Sequence, residues 1–203
     1  DAPVATSGLS GSTNEDQSTV ITLSGSDIDG DNLSFSLDTD AANGSVTIEG
    51  SFATYTPNTD FNGDDSFIFS VSDGELSSTA QVTLTVEAVN DAPIANVASG
   101  VTNEDQSTVI ALSGSDIDGD VLSYSLDTNA TNGSVAIDGS IATYTPNADY
   151  NGDDSFVFTV SDGELSATAQ VTLSIEAVND APVLATVSDV SFDEDGNGSL
   201  SLS

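Results

Sequence analysis

A unit of 89 residues occurs twice in this chain, and the beginning of a third copy follows. The segment Asn14–Ile21 recurs unchanged as Asn103–Ile110, an offset of 89 residues (103 − 14 = 89). A repeat of this length is too long for one turn of a solenoid and matches a small β-domain. The sequence therefore predicts two complete repeats, 1–89 and 90–178, followed at 179–203 by the first part of a third.

The sequence motif Val-Asn-Asp-Ala-Pro, a short phrase of five residues, joins one unit to the next. It occupies Val89–Pro93 and returns at Val178–Pro182, and the chain begins on its last three residues, Asp1–Pro3. We interpret this phrase as the hinge between stacked domains. The residues that surround the hinge then decide whether neighbouring domains are held in line.

Within each unit, short runs of alternating apolar and polar residues are bounded by turn residues. Alternation with a period of two is typical of strands that bury one face, and many short strands with regular turns favour a Greek-key sandwich. We therefore predict an all-β fold of tandem seven-stranded Greek-key sandwiches, stacked end to end. In the first repeat the predicted strands are Val4–Leu9, Thr19–Leu23, Leu33–Leu37, Ser45–Ile48, Phe52–Thr56, Phe67–Val71 and Gln81–Val86.

The composition leaves the acidic side chains without basic partners. The 203 residues include 34 Asp and Glu but no Lys, Arg, His or Cys, and the formal charge is −34. Two carboxylates about 4 Å apart repel each other by about 4 kcal/mol at an effective dielectric constant near 20. Acids that converge must therefore recruit a cation, remain hydrated or become protonated. Nucleic acid and membrane insertion are not expected, because the chain has neither basic patches nor a long apolar run.

The number of strands decides at which end of a sandwich each loop lies. With seven strands the chain enters at one end, here called the upper end, and leaves at the other, the lower end. Loops after the second, fourth and sixth strands lie at the upper end, and the remaining loops lie at the lower end. The lower end of the first repeat then meets the upper end of the second. We expect one acidic junction there, formed by Glu15, Asp65, Asn90, Asp91, Asp116, Asp118 and Asp162.

The donor types at this junction predict that it binds Ca²⁺. Side chains that offer only oxygen suit a hard cation, and irregular loops that supply about six to eight oxygens suit Ca²⁺ better than Mg²⁺. In the Asp116-x-Asp118 motif, alternate side chains can turn toward one centre, and Gly119 permits the bend. Taken singly, each motif is also typical of an ordinary turn, but their common location favours the metal. Several other acids are interpreted as solvated surface, namely Asp38, Asp40, Glu49 and Asp60.

The order of the acidic motifs resembles that of cadherin repeats. An acid follows the first strand, Asp-x-Asp follows the second, an acid precedes the sixth, Ser-Asp-Gly follows it, and Val-Asn-Asp-Ala-Pro ends the unit. The pattern is most similar to the cadherin-like tandem repeats of large bacterial surface and secreted adhesins. The resemblance implies cadherin/immunoglobulin-like sandwiches with up to three Ca²⁺ ions per junction. It also implies ligand roles for Glu15, Asp65, Asn90, Asp91, Asp116, Asp118 and Asp162.

These features predict a non-catalytic spacer. We expect Ca²⁺-binding extender or adhesion repeats of a bacterial cell-surface or secreted adhesin, acting outside the cell, with Ca²⁺ at the junction stiffening the rod. The expected partners are calcium ions, other repeats of the same long chain, or a surface ligand. Catalysis is not expected, because His, Cys and Lys are missing and the carboxylates lie on wet loops.

Two alternatives stay open at this point. One is a Ca²⁺-dependent carbohydrate- or protein-binding module, and the other is that the acidity serves only solvation in high salt. We also expect the junction around Asn179 and Asp180 to be incomplete, because the third unit stops before its own Asp-x-Asp loop.

Overall fold

The computed structural model of the chain describes residues 1–182, and every regular element in this range is a β-strand. Most of the predicted third unit, residues 183–203, lies outside the described residues. Within the described part, no helix is long and apolar enough to cross a membrane.

The strands of the two repeats follow the same order, so that each strand of the first has a counterpart in the second. The first repeat contains β1 (Val4–Ala5), β2 (Leu9–Asn14), β3 (Thr19–Thr22), β4 (Gly25–Ser26), β5 (Ser34–Thr39), β6 (Gly44–Glu49), β7 (Phe52–Pro57), β8 (Gly63–Ser72) and β9 (Ser77–Glu87). The second contains β10 (Ile94–Ala95), β11 (Ala98–Asn103), β12 (Thr108–Ala111), β13 (Gly114–Ser115), β14 (Ser123–Thr128), β15 (Gly133–Asp138), β16 (Ile141–Pro146), β17 (Gly152–Ser161) and β18 (Ser166–Glu176).

Each repeat is a sandwich of two sheets around its own core. In the first repeat one sheet has the order β2-β9-β8-β5 and the other β3-β7-β6, while β1 and β4 form a short antiparallel pair. The second repeat has the same arrangement, with β11-β18-β17-β14 and β12-β16-β15. Inward side chains such as Phe67, Phe69 and Val82 are fully buried between the sheets. Because apolar burial is the main favourable term in folding, each unit carries its own source of stability.

The predicted tandem β-sandwiches are confirmed, but the first strand differs from the prediction. In place of one strand over Val4–Leu9, the chain forms β1, turns at Gly8 with a φ of 78°, and continues as β2. The last strand, β9, pairs with β2 over six residues of each strand, from Leu9↔Val82 to Asn14↔Glu87. First and last strands of a seven-stranded unit run in the same direction, so this pairing is parallel and the sheet is mixed rather than wholly antiparallel.

The sixth predicted strand is longer than expected. It begins as β8 at Gly63 rather than at Phe67, so Asp64 and Asp65 belong to the strand and not to the loop before it. Successive side chains of a strand point to opposite faces, and Asp65 therefore shares the inward face of Phe67 and Phe69. This places the Asp65 carboxylate at the lower edge of the core.

Candidate metal centre between the repeats

The linker is held by hydrogen bonds to the upper end of the second repeat. The Asn90 side chain donates from Nδ2 to Oδ2 of Asp162 (3.0 Å), and the backbone N–H of Asp91 donates to Oδ2 of Asp118 (2.8 Å). Both acceptors lie in loops that follow strands running toward the junction. The protein's own donors therefore fix the linker against the domain that follows it.

On the other side, the linker is tied to the first repeat by Glu15. This side chain follows β2, which the parallel pairing with β9 brings beside the start of the linker. Its Oε1 accepts the backbone N–H of Val89, and its Oε2 accepts the Asn62 side-chain amide at 3.5 Å. Glu15 is only 4% exposed. A buried carboxylate requires hydrogen bonds or a counter-charge, and the chain supplies only the hydrogen bonds.

Three groups of acids overlap along the junction and form what we call the acidic row. Within each group, one carboxylate oxygen of every residue lies within 4.8 Å of the others. Two members, Asp91 and Asp118, each belong to two groups, so the row runs from the first repeat through the linker into the second. The groups are Asp16, Asp60 and Asp91; Glu15, Asp91 and Asp118; and Asp116, Asp118 and Asp120.

Two oxygens in the acidic row are buried without a hydrogen-bond partner. They are Oδ2 of Asp91 and Oδ2 of Asp116. The other oxygen of Asp116 accepts the backbone N–H of Asp118 (2.9 Å), which fixes the carboxylate in place. Buried acceptors that lack a donor are costly, and an all-oxygen set of this kind suits a hard divalent cation. The residues present therefore fit Ca²⁺.

The electrostatics of the junction distinguish Asp91 from Asp162. Removal from water raises the pKa of Asp91 above its ordinary value, and repulsion from Asp60 and Asp118 raises it further. The pKa of Asp162 is lowered, first by the hydrogen bond from Asn90 and then by backbone N–H groups of its own turn. Protein donors therefore stabilise Asp162 as an anion, whereas Asp91 lacks a compensating charge.

The seven residues of the predicted site separate into three sets. Asn90 and Asp162 contact each other across the junction. Asp65 is not part of the acidic row that the described residues form. The acids that do converge there are Glu15, Asp91, Asp116 and Asp118.

Asp65 is occupied by donors from its own repeat. Its Oδ2 accepts the Tyr55 hydroxyl (3.0 Å) and the backbone N–H of Asn43 (2.9 Å), and its Oδ1 accepts the N–H groups of Ala42 (3.1 Å) and Ser66 (2.8 Å). Burial acts to raise the pKa of Asp65, but these hydrogen bonds outweigh it and hold the pKa below its ordinary value. We therefore assign Asp65 to the fold of the repeat.

Three acids of the row are absent from the predicted site, namely Asp120 of the second repeat and the pair Asp16 and Asp60 at the lower end of the first. Asp16 and Asp60 adopt left-handed backbone conformations, with φ of 57° and 56°, a region that few non-glycine residues enter. The Asp60 backbone N–H donates to Oδ1 of Asp16 (3.3 Å), which joins two loops of the lower end. Asp105 and Asp149 have the same conformation and the same contact in the second repeat. The signal in the sequence is that both units keep an acid at these lower-end positions.

The outer ends of the two repeats carry the same kinds of cluster. At the upper end of the first repeat, Oδ2 of Asp27 is buried without a partner, as is its counterpart at Asp116. The middle junction is thus where an upper cluster and a lower cluster meet. The outer clusters are Asp27, Asp29 and Asp31 at the upper end, and Asp105, Asp149 and Asp180 at the lower end.

Sequence comparison agrees with the repeat structure. The profile of the bacterial Ig domain family matches residues 1–85 and again residues 90–174. This chain belongs to the bacterial Ig domain family. One bacterial Ig domain corresponds to each sandwich, and the acidic row lies where the first domain adjoins the second. A search of curated protein sequences gives no match.

Solved structures resemble these bacterial Ig domains in fold. Human protocadherin-24 EC1-2 is 19% identical, with 88% of this chain and 99% of that chain covered and a TM-score of 0.60. Protocadherin gamma B7 extracellular cadherin domains 1-4 are 15% identical over 85% of this chain and 49% of the other, with a TM-score of 0.49. The endo-fucoidan hydrolase MfFcnA4 from glycoside hydrolase family 107 is 21% identical over 88% of this chain, with a TM-score of 0.40, and the chain spans 29% of its length. At these identities the likeness to protocadherin-24 establishes the fold alone.

Proposed function

We propose that the two bacterial Ig domains form part of a non-catalytic spacer that Ca²⁺ stiffens at the junction. The observation that carries this proposal is the position of Asp91. It lies on the linker, and its carboxylate oxygens lie close to Asp16 and Asp60 of the first repeat and to Asp118 of the second. A cation held there would contact the linker and both domains at once, and it would therefore favour one relative orientation of the domains.

The donor set supports Ca²⁺ within this proposal. The chain contains no Cys, Met or His, so soft or nitrogen ligands are absent from it. Ca²⁺ takes about six to eight oxygen ligands in flexible geometry, whereas Mg²⁺ demands a stricter octahedron. Glu15, Asp91 and Asp118 would hold the ion between the repeats. When bound, the ion supplies the positive charge that no side chain of this protein provides.

Stiffening would follow from mass action. A ligand that binds only the aligned pair of domains stabilises that pair, by about 1.4 kcal/mol at roughly ten times its Kd. Extracellular Ca²⁺ modules bind with Kd values of about 10⁻⁴–10⁻³ M. The spacer would then be straight in calcium-rich surroundings, which fits a place in a surface or secreted adhesin, with other repeats of the same chain as neighbours. Location outside the cell is part of this proposal.

The test compares the full chain with Asp118→Asn and with a matched control, Asp29→Asn. Asp29 is the counterpart of Asp118 (118 − 29 = 89) and lies in the same loop of the first repeat, away from the middle junction. We expect Ca²⁺ to raise the melting temperature and the maximum dimension in small-angle scattering for the unchanged chain and the Asp29→Asn variant. The gain in maximum dimension should be largely lost in the Asp118→Asn variant.

Several outcomes would contradict the proposal. Equal responses of the two variants would mean that the middle junction does not hold the ion. If Na⁺ at matched ionic strength acted as strongly as Ca²⁺, the acidity would serve only solvation in high salt. If a chelator changed neither the melting temperature nor the maximum dimension, a bound metal would have no part in stiffening the chain.

A carbohydrate- or protein-binding module has less support. A groove of about 640 Å³ follows the outer face of the second repeat, and its lining includes Asp153, Gln170 and Thr172 but no aromatic side chain. The counterpart in the first repeat, of about 540 Å³, is similar and contains Gln81 and Thr83. Small-molecule sites are lined mainly by apolar and aromatic side chains, and neither groove has this character. A glycan array with Ca²⁺ present tests this alternative directly.

A further inference from the structure

The chain contains a dipeptide, Asn-Gly, that is prone to a spontaneous reaction. The backbone nitrogen of the glycine loses its proton and attacks Cγ of the asparagine, ammonia leaves, and water opens the resulting cyclic imide to aspartate or isoaspartate. A following glycine favours the attack because it has no side chain to obstruct it. Within the described residues, the dipeptide occurs at Asn43–Gly44, Asn62–Gly63, Asn132–Gly133 and Asn151–Gly152.

Two of these dipeptides are held rigidly. The attack requires the Asn-Gly peptide to rotate until its nitrogen faces Cγ. At Asn43 the N–H donates to Asp65 (2.9 Å) and the carbonyl accepts the N–H of Asn58 (2.8 Å). A Cβ added to Gly44 would lie 2.4 Å from the ring of Tyr55, so this glycine is tightly enclosed. The equivalent residues of the second repeat are Asn132, Gly133, Tyr144, Asn147 and Asp154.

The other two dipeptides are open. Asn62 and Asn151 are exposed, as are the glycines that follow them. Neither asparagine lies in a strand, and neither takes part in the backbone hydrogen bonds of turns and loops within residues 1–182. The glycine is the first residue of a strand at all four sites, so strand membership does not separate the two pairs. A Cβ added to Gly63 would have its nearest neighbour 3.9 Å away. At these sites the asparagine side of the peptide is unpaired and nothing encloses the glycine, so the rotation meets less resistance than at Asn43 and Asn132.

We propose that Asn62 and Asn151 are sites of spontaneous conversion to aspartate and isoaspartate, and that the fold protects Asn43 and Asn132 from the same reaction. The contrast depends on hydrogen bonding and enclosure, because all four sites have the same dipeptide sequence. This inference concerns the folded chain itself and does not depend on cation binding.

The conversion would change the charge at the lower end of each repeat. The Asn62 side chain donates to Oε2 of Glu15 (3.5 Å), and the Asn151 side chain donates to Oε2 of Glu104 (3.3 Å). Both acceptors are buried, at 4% and 5% exposure. Each event replaces a donor with a second carboxylate beside a buried one. With no basic side chain to offset the charge, the modified end is destabilised.

The experiment follows the reaction at each site in the full chain. The protein is held in mildly alkaline buffer and then digested. The peptides are examined by mass spectrometry for conversion of the asparagine side-chain amide to a carboxylic acid. We expect Asn62 and Asn151 to react at least about tenfold faster than Asn43 and Asn132, because the protected pair must first open locally. In urea the four rates should come together. Peptide mapping keeps these sites separate from Asn197–Gly198, which lies outside the described residues.

Equal rates at the four sites in the folded chain would overturn the proposal, and so would faster reaction at Asn43 or Asn132. Two variants sharpen the result. Asn62→Gln should abolish the reaction at that site and leave Asn151 unchanged. Asn62→Asp reproduces the aspartate product and should lower the melting temperature in metal-free buffer; an unchanged melting temperature would overturn the assigned effect on Glu15.

Discussion

Asp65 and Asp91 are both carboxylates in a chain without basic side chains, yet their surroundings are opposite. Asp65 accepts hydrogen bonds from Tyr55 and from three backbone N–H groups, and its pKa is lowered. Asp91 has a buried oxygen without a partner, and its pKa is raised. The comparison teaches that acids are accommodated inside a domain by the protein's own donors. Between domains the donors are too few, and the Asp91 oxygen is left without a partner.

The largest expected effect is that of Asp65→Ala. It leaves the Tyr55 hydroxyl and the N–H group of Asn43, both part-buried, without an acceptor, and each such donor left unpaired costs about 1–3 kcal/mol. We expect the free energy of unfolding of the first repeat to fall by about 3 kcal/mol in urea denaturation. The exposed neighbour Asp64 provides the control, since Asp64→Ala should change stability by less than about 0.5 kcal/mol. A deficit that Ca²⁺ repaired would place Asp65 in the metal site after all.

The next effect is on cation binding, through Asp60→Asn. If Asp60 supplies an oxygen to the acidic row, the variant should lose most of the Ca²⁺-dependent stabilisation, about 1.4 kcal/mol at roughly ten times Kd. The matched variant Asp149→Asn alters the equivalent position of the second repeat and should leave the middle junction unchanged. Calcium titration followed by calorimetry and scattering measures both. If Asp60→Asn and Asp38→Asn gave the same result, Asp60 would be solvated surface, as the sequence pattern first indicated.

A smaller effect is expected from Asn90→Ala. The variant removes the hydrogen bond to Asp162, and bonds of this kind contribute about 1 kcal/mol. The pKa of Asp162 should rise toward its ordinary value, because that bond is the main cause of its lowering. Carbon-detected NMR titration reads this directly. Asn179→Ala is the control, since the Asn179 side chain donates to the Asp180 carbonyl and should not affect Asp162.

The smallest expected effect is on the pH dependence of stability, because acid acts on Asp65 and on Asp91 in opposite directions. The pKa of Asp65 is lowered in the folded protein, so its stabilisation is present above the unfolded pKa of about 3.9 and is lost as pH falls through the folded value. The pKa of Asp91 is raised, so its unfavourable charge disappears as pH falls through that higher value. In metal-free buffer, mild acidification should therefore tighten the junction before it weakens the repeats. Scattering and thermal melting that changed together in the same direction would contradict this.

Much of the fold follows from alternation in the sequence, and part of the site follows from counting strands. An odd number of strands places Asp91 and Asp118 at facing ends, where the structure brings them together. Asp65 lies outside the acidic row of the described residues because it is in phase with Phe67 and Phe69, so that its side chain points inward. This alternation is visible in the sequence, and it favours a role for Asp65 in buried hydrogen bonds over a role as a metal ligand in a loop.

Alternation and strand counting do not predict that Asp16 and Asp60 belong to the acidic row. Both residues have left-handed backbones, and this conformation turns their side chains in directions that a strand pattern does not specify. The split of the first strand at Gly8 has a similar cause, since a positive φ redirects the chain from the short β1–β4 pair to the sheet that contains β2 and β9. Alternation predicts which face a residue occupies, but local turns decide where loop side chains point.

The parallel pairing of β2 with β9 governs how a repeat responds to tension. The incoming linker leads into β1 and β2, and β9 leads directly into the outgoing linker. A pull on the two linkers therefore draws β2 and β9 in opposite directions along their length. The pairs from Leu9↔Val82 to Asn14↔Glu87 are loaded in shear, all together, instead of being peeled apart one after another from a hairpin end. Each unit thus resists stretching through the joint strength of that ladder.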